Sequence, residues 1–194
     1  MSIETIGVRA ARPDDAAALA DLINFAGEGL PLYLWERLAQ PGETAWEVGR
    51  RRACREEGSF SYRNAVIAQY GDDVAGSLIT YRIADQPTAI DPAEVPAMFV
   101  PLLELENLAL GTWYVNVLAV YPRFRNLGIG TRLLEVAGQQ AKDAGCRGES
   151  IIVSDANPGA SRLYERCGFR HRAVRPMVKD DWVNPGRNWV LLTR

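Results

Sequence analysis

The sequence predicts a mixed α/β domain, with parallel and antiparallel strands in one sheet and helices packed against it. A strand–helix–strand–helix order over residues 113–167 demands a parallel pair, because only a crossover connection returns the chain in the same direction. A turn at Gly71-Asp72-Asp73 joins two strand-like runs into an antiparallel hairpin. The 194 residues show no internal repeat and no low-complexity linker, so residues 1–194 are expected to form a single domain.

Ile6 to Ala10 reads as a short strand, and Arg12-Pro13-Asp14-Asp15 opens a helix whose apolar positions Ala17, Leu19, Leu22, Ile23 and Phe25 share one side. Two further helices are expected around Pro31–Leu38 and Glu43–Glu56, punctuated by Gly27, Gly29, Pro41-Gly42 and Gly58. The hairpin strands run over Asn64–Gln69 and Val74–Ile83. An acidic, proline-containing insertion at about 85–111 follows, with Asp85, Asp91, Glu94, Glu104 and Glu106, no Lys or Arg, and a short helix near Ala97–Leu108. Trp113–Val120 is a strongly apolar strand, Gly130–Ala144 a helix, Ser150–Ser154 a strand and Pro158–Cys167 a helix. Strand-like pieces near Ala173–Val178 and Asn188–Leu192 end the chain.

Composition narrows the chemistry. At 47% hydrophobic and 24% charged residues the chain reads as soluble and globular, and a net charge of −2 gives no reason to expect nucleic acid or an anionic membrane as partner. Residues 1–111 carry a net charge of about −8 and residues 112–194 about +6. Cys54, Cys146 and Cys167 have no close paired spacing, which suits reduced thiols in the cytoplasm and suggests neither a disulfide framework nor a thiolate metal site. His171 is the only histidine, so no imidazole metal cluster forms and no metal is expected; Gly168 ends a helix between it and Cys167, and neither is assigned a catalytic role. Met1-Ser2-Ile3-Glu4-Thr5 lacks the marks of a signal peptide, and no apolar run reaches membrane-spanning length.

The most informative stretch is Arg123-Phe124-Arg125-Asn126-Leu127-Gly128-Ile129-Gly130-Thr131-Arg132, between the most apolar strand and an amphipathic helix. Glycines at a helix start let the backbone curl around a ligand, and the first helical N–H groups have no internal partners, so a phosphate-bearing cofactor is expected there. The nucleotide-triphosphatase loop fails because Gly130-Thr131-Arg132 lacks its lysine, and the dinucleotide loop is weakened because Leu133 stands where a third glycine belongs.

The stretch resembles the acetyl-coenzyme A loop of the GNAT-type N-acetyltransferase superfamily, Arg/Gln-x-x-Gly-x-Gly/Ala, at Arg125-Asn126-Leu127-Gly128-Ile129-Gly130. Val117-Leu118-Ala119-Val120-Tyr121-Pro122 is similar to that family's central strand and its exit proline. Ile151–Phe169 resembles its second block, a strand, an Asn and a Tyr-bearing helix ending in Gly-Phe. The likeness is sharp over 112–170 and topological over 1–84. It implies a central, mostly antiparallel mixed sheet with a parallel pair at its centre, flanked by helices, and direct acetyl transfer from acetyl-CoA to a primary amine without a metal.

By that resemblance Tyr164 is the general acid toward the coenzyme A sulfur. Leu118, Ala119 and Val120 hold the pantetheine arm where the parallel strands diverge, and Arg125 to Thr131, with Asn157 and Ser161, complete the cofactor set. Asn157, Ser161 and Tyr164 share one side of their helix by spacing. Tyr114 occupies the position of a glutamate base found in some members, so that role does not carry over; Glu104 and Glu106, close in sequence to the strand entrance, are the candidate bases, acting directly or through water. Tyr33, Trp35, Trp113, Tyr114 and Asn116 are candidates for the acceptor pocket. The acceptor is a small molecule or a protein terminus, and the chain acts as monomer or homodimer. A non-catalytic acyl-CoA-binding regulatory module and an enzyme using a longer acyl-CoA donor are the alternatives.

Overall fold

The computed structural model describes residues 5–91 and 93–194. Met1–Glu4, read above against a signal peptide, and Pro92 of the insertion lie outside the described residues. The strands are β1 (Ile6–Ala10), β2 (Ala65–Tyr70), β3 (Asp73–Arg82), β4 (Trp113–Val120), β5 (Glu149–Ser154), β6 (Arg170–Pro176) and β7 (Asn188–Thr193). The α-helices are α1 (Ala16–Ala26), α2 (Leu30–Leu38), α3 (Ala45–Ala53), α4 (Val100–Glu106), α5 (Ile129–Asp143) and α6 (Pro158–Arg166).

The seven strands are ordered β1-β2-β3-β4-β5-β7-β6, which puts β4 beside β5 at the centre. Trp113, Tyr114 and Val115 register in parallel with Glu149, Ser150 and Ile151. The pairs β1/β2, β2/β3, β5/β7 and β6/β7 are antiparallel. This is the mixed, mostly antiparallel sheet with a central parallel pair that the order of elements implied. Among the described residues no helix is long and apolar enough to cross a membrane.

The chain divides into two compact units, Met1–Thr80 with Asn116–Glu135, and Tyr81–Val115 with Val136–Arg194. In the first, Leu19, Ala20 and Ile23 of α1, Trp35 of α2, and Val48 and Ala53 of α3 close on Ile67, Ile79 and Val117. A 3₁₀ turn at Pro13–Asp15 precedes α1 where the sequence suggested helix from Arg12. Asp15 accepts from the Arg12 main-chain N–H at 2.7 Å and takes both ends of the Arg9 guanidinium at 2.7 Å, which fixes the chain's entry. The α3 helix starts only after Thr44, whose hydroxyl and Glu47 carboxylate form a reciprocal cap. It stops at Ala53, short of Glu56, whose carboxylate accepts from the Tyr62 hydroxyl and from Arg63 Nε, each at 2.7 Å.

In the second unit Leu105, Phe169 and Leu191 are fully buried. Buried Glu149 receives Arg194 through two hydrogen bonds of 2.7 and 3.0 Å, and the Arg194 guanidinium lies 4.6 Å over the Phe169 ring. One arginine thus joins the end of the last strand to β5 and to Phe169, just past the turn that closes α6.

Candidate functional site

In the first unit β4 runs out through Leu118, Ala119 and Val120 to a 3₁₀ turn at Pro122–Phe124. Gly76 of β3 lets the two strands close there, since a Cβ on it would stand 2.6 Å from the Ala119 carbonyl oxygen. After an extended Arg125 the backbone turns left-handed at Asn126 (φ +64°) and Gly128 (φ +85°), and α5 begins at Ile129. Asparagine tolerates that conformation and glycine adopts it without steric cost. A Cβ on Gly128 would meet only Ile6 Cδ1, at 4.0 Å, so the backbone angle rather than crowding requires glycine.

Arg125, Asn126, Leu127 and Gly128 are exposed, whereas Ile129, Leu133 and Leu134 are buried, so α5 is anchored by its apolar face and opens its first turn to solvent. The Arg132 N–H bonds the Gly128 carbonyl at 3.0 Å, making Gly128 the N-cap. The N–H groups of Ile129, Gly130 and Thr131 therefore have no carbonyl within the helix to bond. Three such donors at the positive end of a helix dipole suit a phosphate. Arg125 donates to the Val120 carbonyl at 3.2 Å, Arg123 stands 3.6 Å from Asp73, and Arg132 pairs with Glu135 at 3.0 Å. Exposed ion pairs of this kind contribute at most about 1 kcal/mol, so an arriving anion displaces them at little cost.

The acceptor candidates of this unit have distinct surroundings. Trp35 belongs to the hydrophobic core, with Trp46 edge-on at 6.1 Å. Tyr33 lies under the Arg37 guanidinium, 3.5 Å from its ring centre. Asn116 is half-buried on β4, and its Nδ2 is buried with no hydrogen-bond partner among the described residues.

In the second unit α6 is built around Tyr164. The Asn157 side chain accepts the Ala160 N–H at 3.1 Å, and the Ser161 hydroxyl donates to the Asn157 carbonyl at 3.1 Å, so both residues serve the helix start. At the other end the Phe169 N–H bonds the Tyr164 carbonyl at 3.0 Å and the Gly168 N–H bonds that of Glu165 at 3.1 Å. This paired closure of a helix end brings the Phe169 ring to 6.0 Å from the ring of buried Tyr164.

Tyr114 is buried and meets Tyr81 edge-on at 5.4 Å. Burial holds the Tyr114 phenol well above its ordinary range, and the negative charges of Tyr81, Glu106 and Tyr164 when ionised push it the same way. Tyr114 therefore senses three other titratable groups of its own unit. Trp113, half-buried, donates its Nε1–H to Gln140 at 3.4 Å.

The two acidic candidates differ sharply. Glu104 is engaged by Arg175 at 2.5 Å. Glu106 is half-buried, its carboxylate makes no hydrogen bond or ion pair among the described residues, and burial pushes its pKa up to about 7. At 100° per residue, positions two apart on a helix point about 200° apart, so the carboxylates leave α4 on nearly opposite sides. Sequence reasoning missed Tyr81. Its signal was its position near the outgoing end of a hairpin strand, opposite the entry of an apolar strand.

The fold and the phosphate-ready helix start define the acyl-coenzyme A N-acyltransferase architecture. The chain belongs to the Acetyltransferase (GNAT) family, whose sequence profile matches residues 31–169. It is 43% identical over 63 residues to Acetyltransferase Atu2258 of Agrobacterium fabrum, a match covering 32% of this chain and 44% of that protein. The chain spans less than half the length of the curated relatives it matches. A crystal structure described as an acetyltransferase superposes with a TM-score of 0.64 at 20% identity, covering 97% of this chain and 98% of the other. A GNAT family acetyltransferase from Elizabethkingia anophelis, solved with acetyl-CoA bound, superposes with a TM-score of 0.57 at 19% identity, covering 100% and 98%.

Proposed function

We propose that the chain is an acetyl-CoA-dependent N-acetyltransferase that transfers the acetyl group directly to a primary amine, with Glu106 as general base and Tyr164 as general acid. The observation that carries the reading is Glu106, a half-buried carboxylate with no hydrogen-bond or ion-pair partner among the described residues, at the end of the helix within the acidic insertion. Family membership and the acetyl-CoA of the Elizabethkingia relative support the donor.

The open turn at Gly128 and the free helix start fit a diphosphate, and Ile129, Gly130 and Thr131 would hold it through main-chain N–H groups. Bound acetyl-CoA supplies an activated acyl thioester. Main-chain groups of Leu118 to Val120 bind the pantetheine arm. Glu106, ionised above about pH 7, takes a proton from the incoming ammonium and so frees its lone pair. Tyr164 carries the proton that the departing thiolate needs. The cytoplasm suits its free thiols.

Release of free thiol from acetyl-, propionyl- and succinyl-CoA across a panel of small amines and peptide N-termini tests the reading. The expected result is amine-dependent release fastest with acetyl-CoA, with kcat/KM rising with pH through about 7. Binding without turnover on any amine would favour a regulatory module instead. Tyr164→Phe should lower kcat by about a hundredfold or more while acetyl-CoA affinity stays within about twofold. Unchanged kcat removes Tyr164 from the chemistry.

A further inference from the structure

The helix that carries Glu106 has two polar tethers, one on each side of that residue. On one side, Glu104 accepts a hydrogen bond from Arg175 Nε of β6 at 2.5 Å. On the other, the Asn107 side-chain amide donates to the Thr88 carbonyl and accepts the Thr88 N–H, both at 2.9 Å. Between them Leu105 is fully buried and acts as a pivot. Arg170, His171, Arg172 and Arg175 are the cationic and titratable side chains of β6. Of these, Arg175 is the one that bonds α4 among the described residues.

The α4 helix is seven residues long with Pro101 and Leu105 as its buried side chains, so its roll about its own axis is set by those two and by the polar tethers on its other faces. With side-chain ends about 5–6 Å from that axis, a roll of about 20° moves a carboxylate by about 2 Å. Proton transfer requires heavy atoms within about 2.6–3.2 Å, so such a roll takes the base out of reach. We propose that Arg175 is a positioning residue of the transferase: through Glu104 it fixes the roll of α4 and so the place of the Glu106 carboxylate. The inference rests on the assignment of Glu106 as base.

The groups around Glu106 that titrate are Tyr114 of β4 and, through it, Tyr81 of β3 and Tyr164 of α6; the Glu104–Arg175 pair lies across the helix. Releasing the roll lets water reach Glu106, and hydration returns its acidity toward that of an ordinary carboxylate.

The test is the pH–rate profile of Arg175→Gln, with Glu106→Gln and the charge-exchanged double variant Glu104→Arg/Arg175→Glu run beside it. Arg175→Gln should lower kcat at least tenfold, leave the KM for acetyl-CoA within twofold, and move the acidic limb of the profile to lower pH. The double variant should restore both kcat and the limb. An Arg175→Gln enzyme with wild-type kcat and an unmoved limb overturns the positioning role, as does a double variant as impaired as the single one. A fully active Glu106→Gln enzyme overturns the base assignment instead, so the two failures are distinguishable.

Discussion

Glu106→Gln changes one carboxylate into an amide of nearly the same shape, and its effect on stability can be worked out from burial alone. Burial moves the proton loss of this carboxyl up to about 7 in the folded chain from its ordinary value of 4.5 in the unfolded chain. Between those values the folded state holds the extra proton, so stability falls as pH rises, and above about 7 the folded chain carries the full cost of a half-buried charge. A difference of about 2.5 units corresponds to roughly 3 kcal/mol as a ceiling, and solvent reaching a half-buried group reduces this to about 1–2 kcal/mol. Glutamine removes the proton exchange altogether. Urea unfolding of both proteins at pH 5, 6, 7 and 8 should show Glu106→Gln gaining about 1–2 kcal/mol on the wild type between pH 5 and pH 8, with equal m-values. Any fixed offset from burying an amide cancels in this comparison. Stability curves that stay parallel over the whole range would refute the claim that Glu106 is held neutral by its surroundings.

Two further outcomes follow from particular contacts. Gly128→Asp places a side chain at φ +85° and a negative charge at the start of α5, and calorimetric titration should show acetyl-CoA affinity falling at least tenfold; unchanged affinity would remove the loop from diphosphate binding. Arg194→Ala strips buried Glu149 of both its guanidinium bonds, and urea unfolding at pH 7 should show a loss of about 3–5 kcal/mol; a loss under about 1 kcal/mol would show that water satisfies Glu149.

Much of the framework could be read before any coordinates, for local reasons. Trp113–Val120 stands out because apolar residues fill seven of its eight positions and a turn follows at Tyr121-Pro122. The helix of Tyr164 announces both ends, with Asn157-Pro158 at one and Gly168 at the other, and both behave as capping chemistry requires. What escaped is tertiary. Choosing between Glu104 and Glu106 needs the knowledge that Arg175, 71 residues away in sequence, engages the first and leaves the second alone. The last strands illustrate a second reason. Arg170-His171-Arg172 looks like a polar loop, yet β6 begins there, because an edge strand is free to carry charge on the side that no neighbour covers. Trp35 and Tyr114 differ by little in composition around them, and only packing separates a core tryptophan from a tyrosine that feels three other acids.

Thr88 enters its bond with Asn107 through main-chain atoms alone, so any residue but proline can take its place, and the acidic stretch is stitched to the end of α4 at this point. Segments secured in this way can lengthen, shorten or change charge at the tip between related chains while the acid at the end of α4 stays where it is.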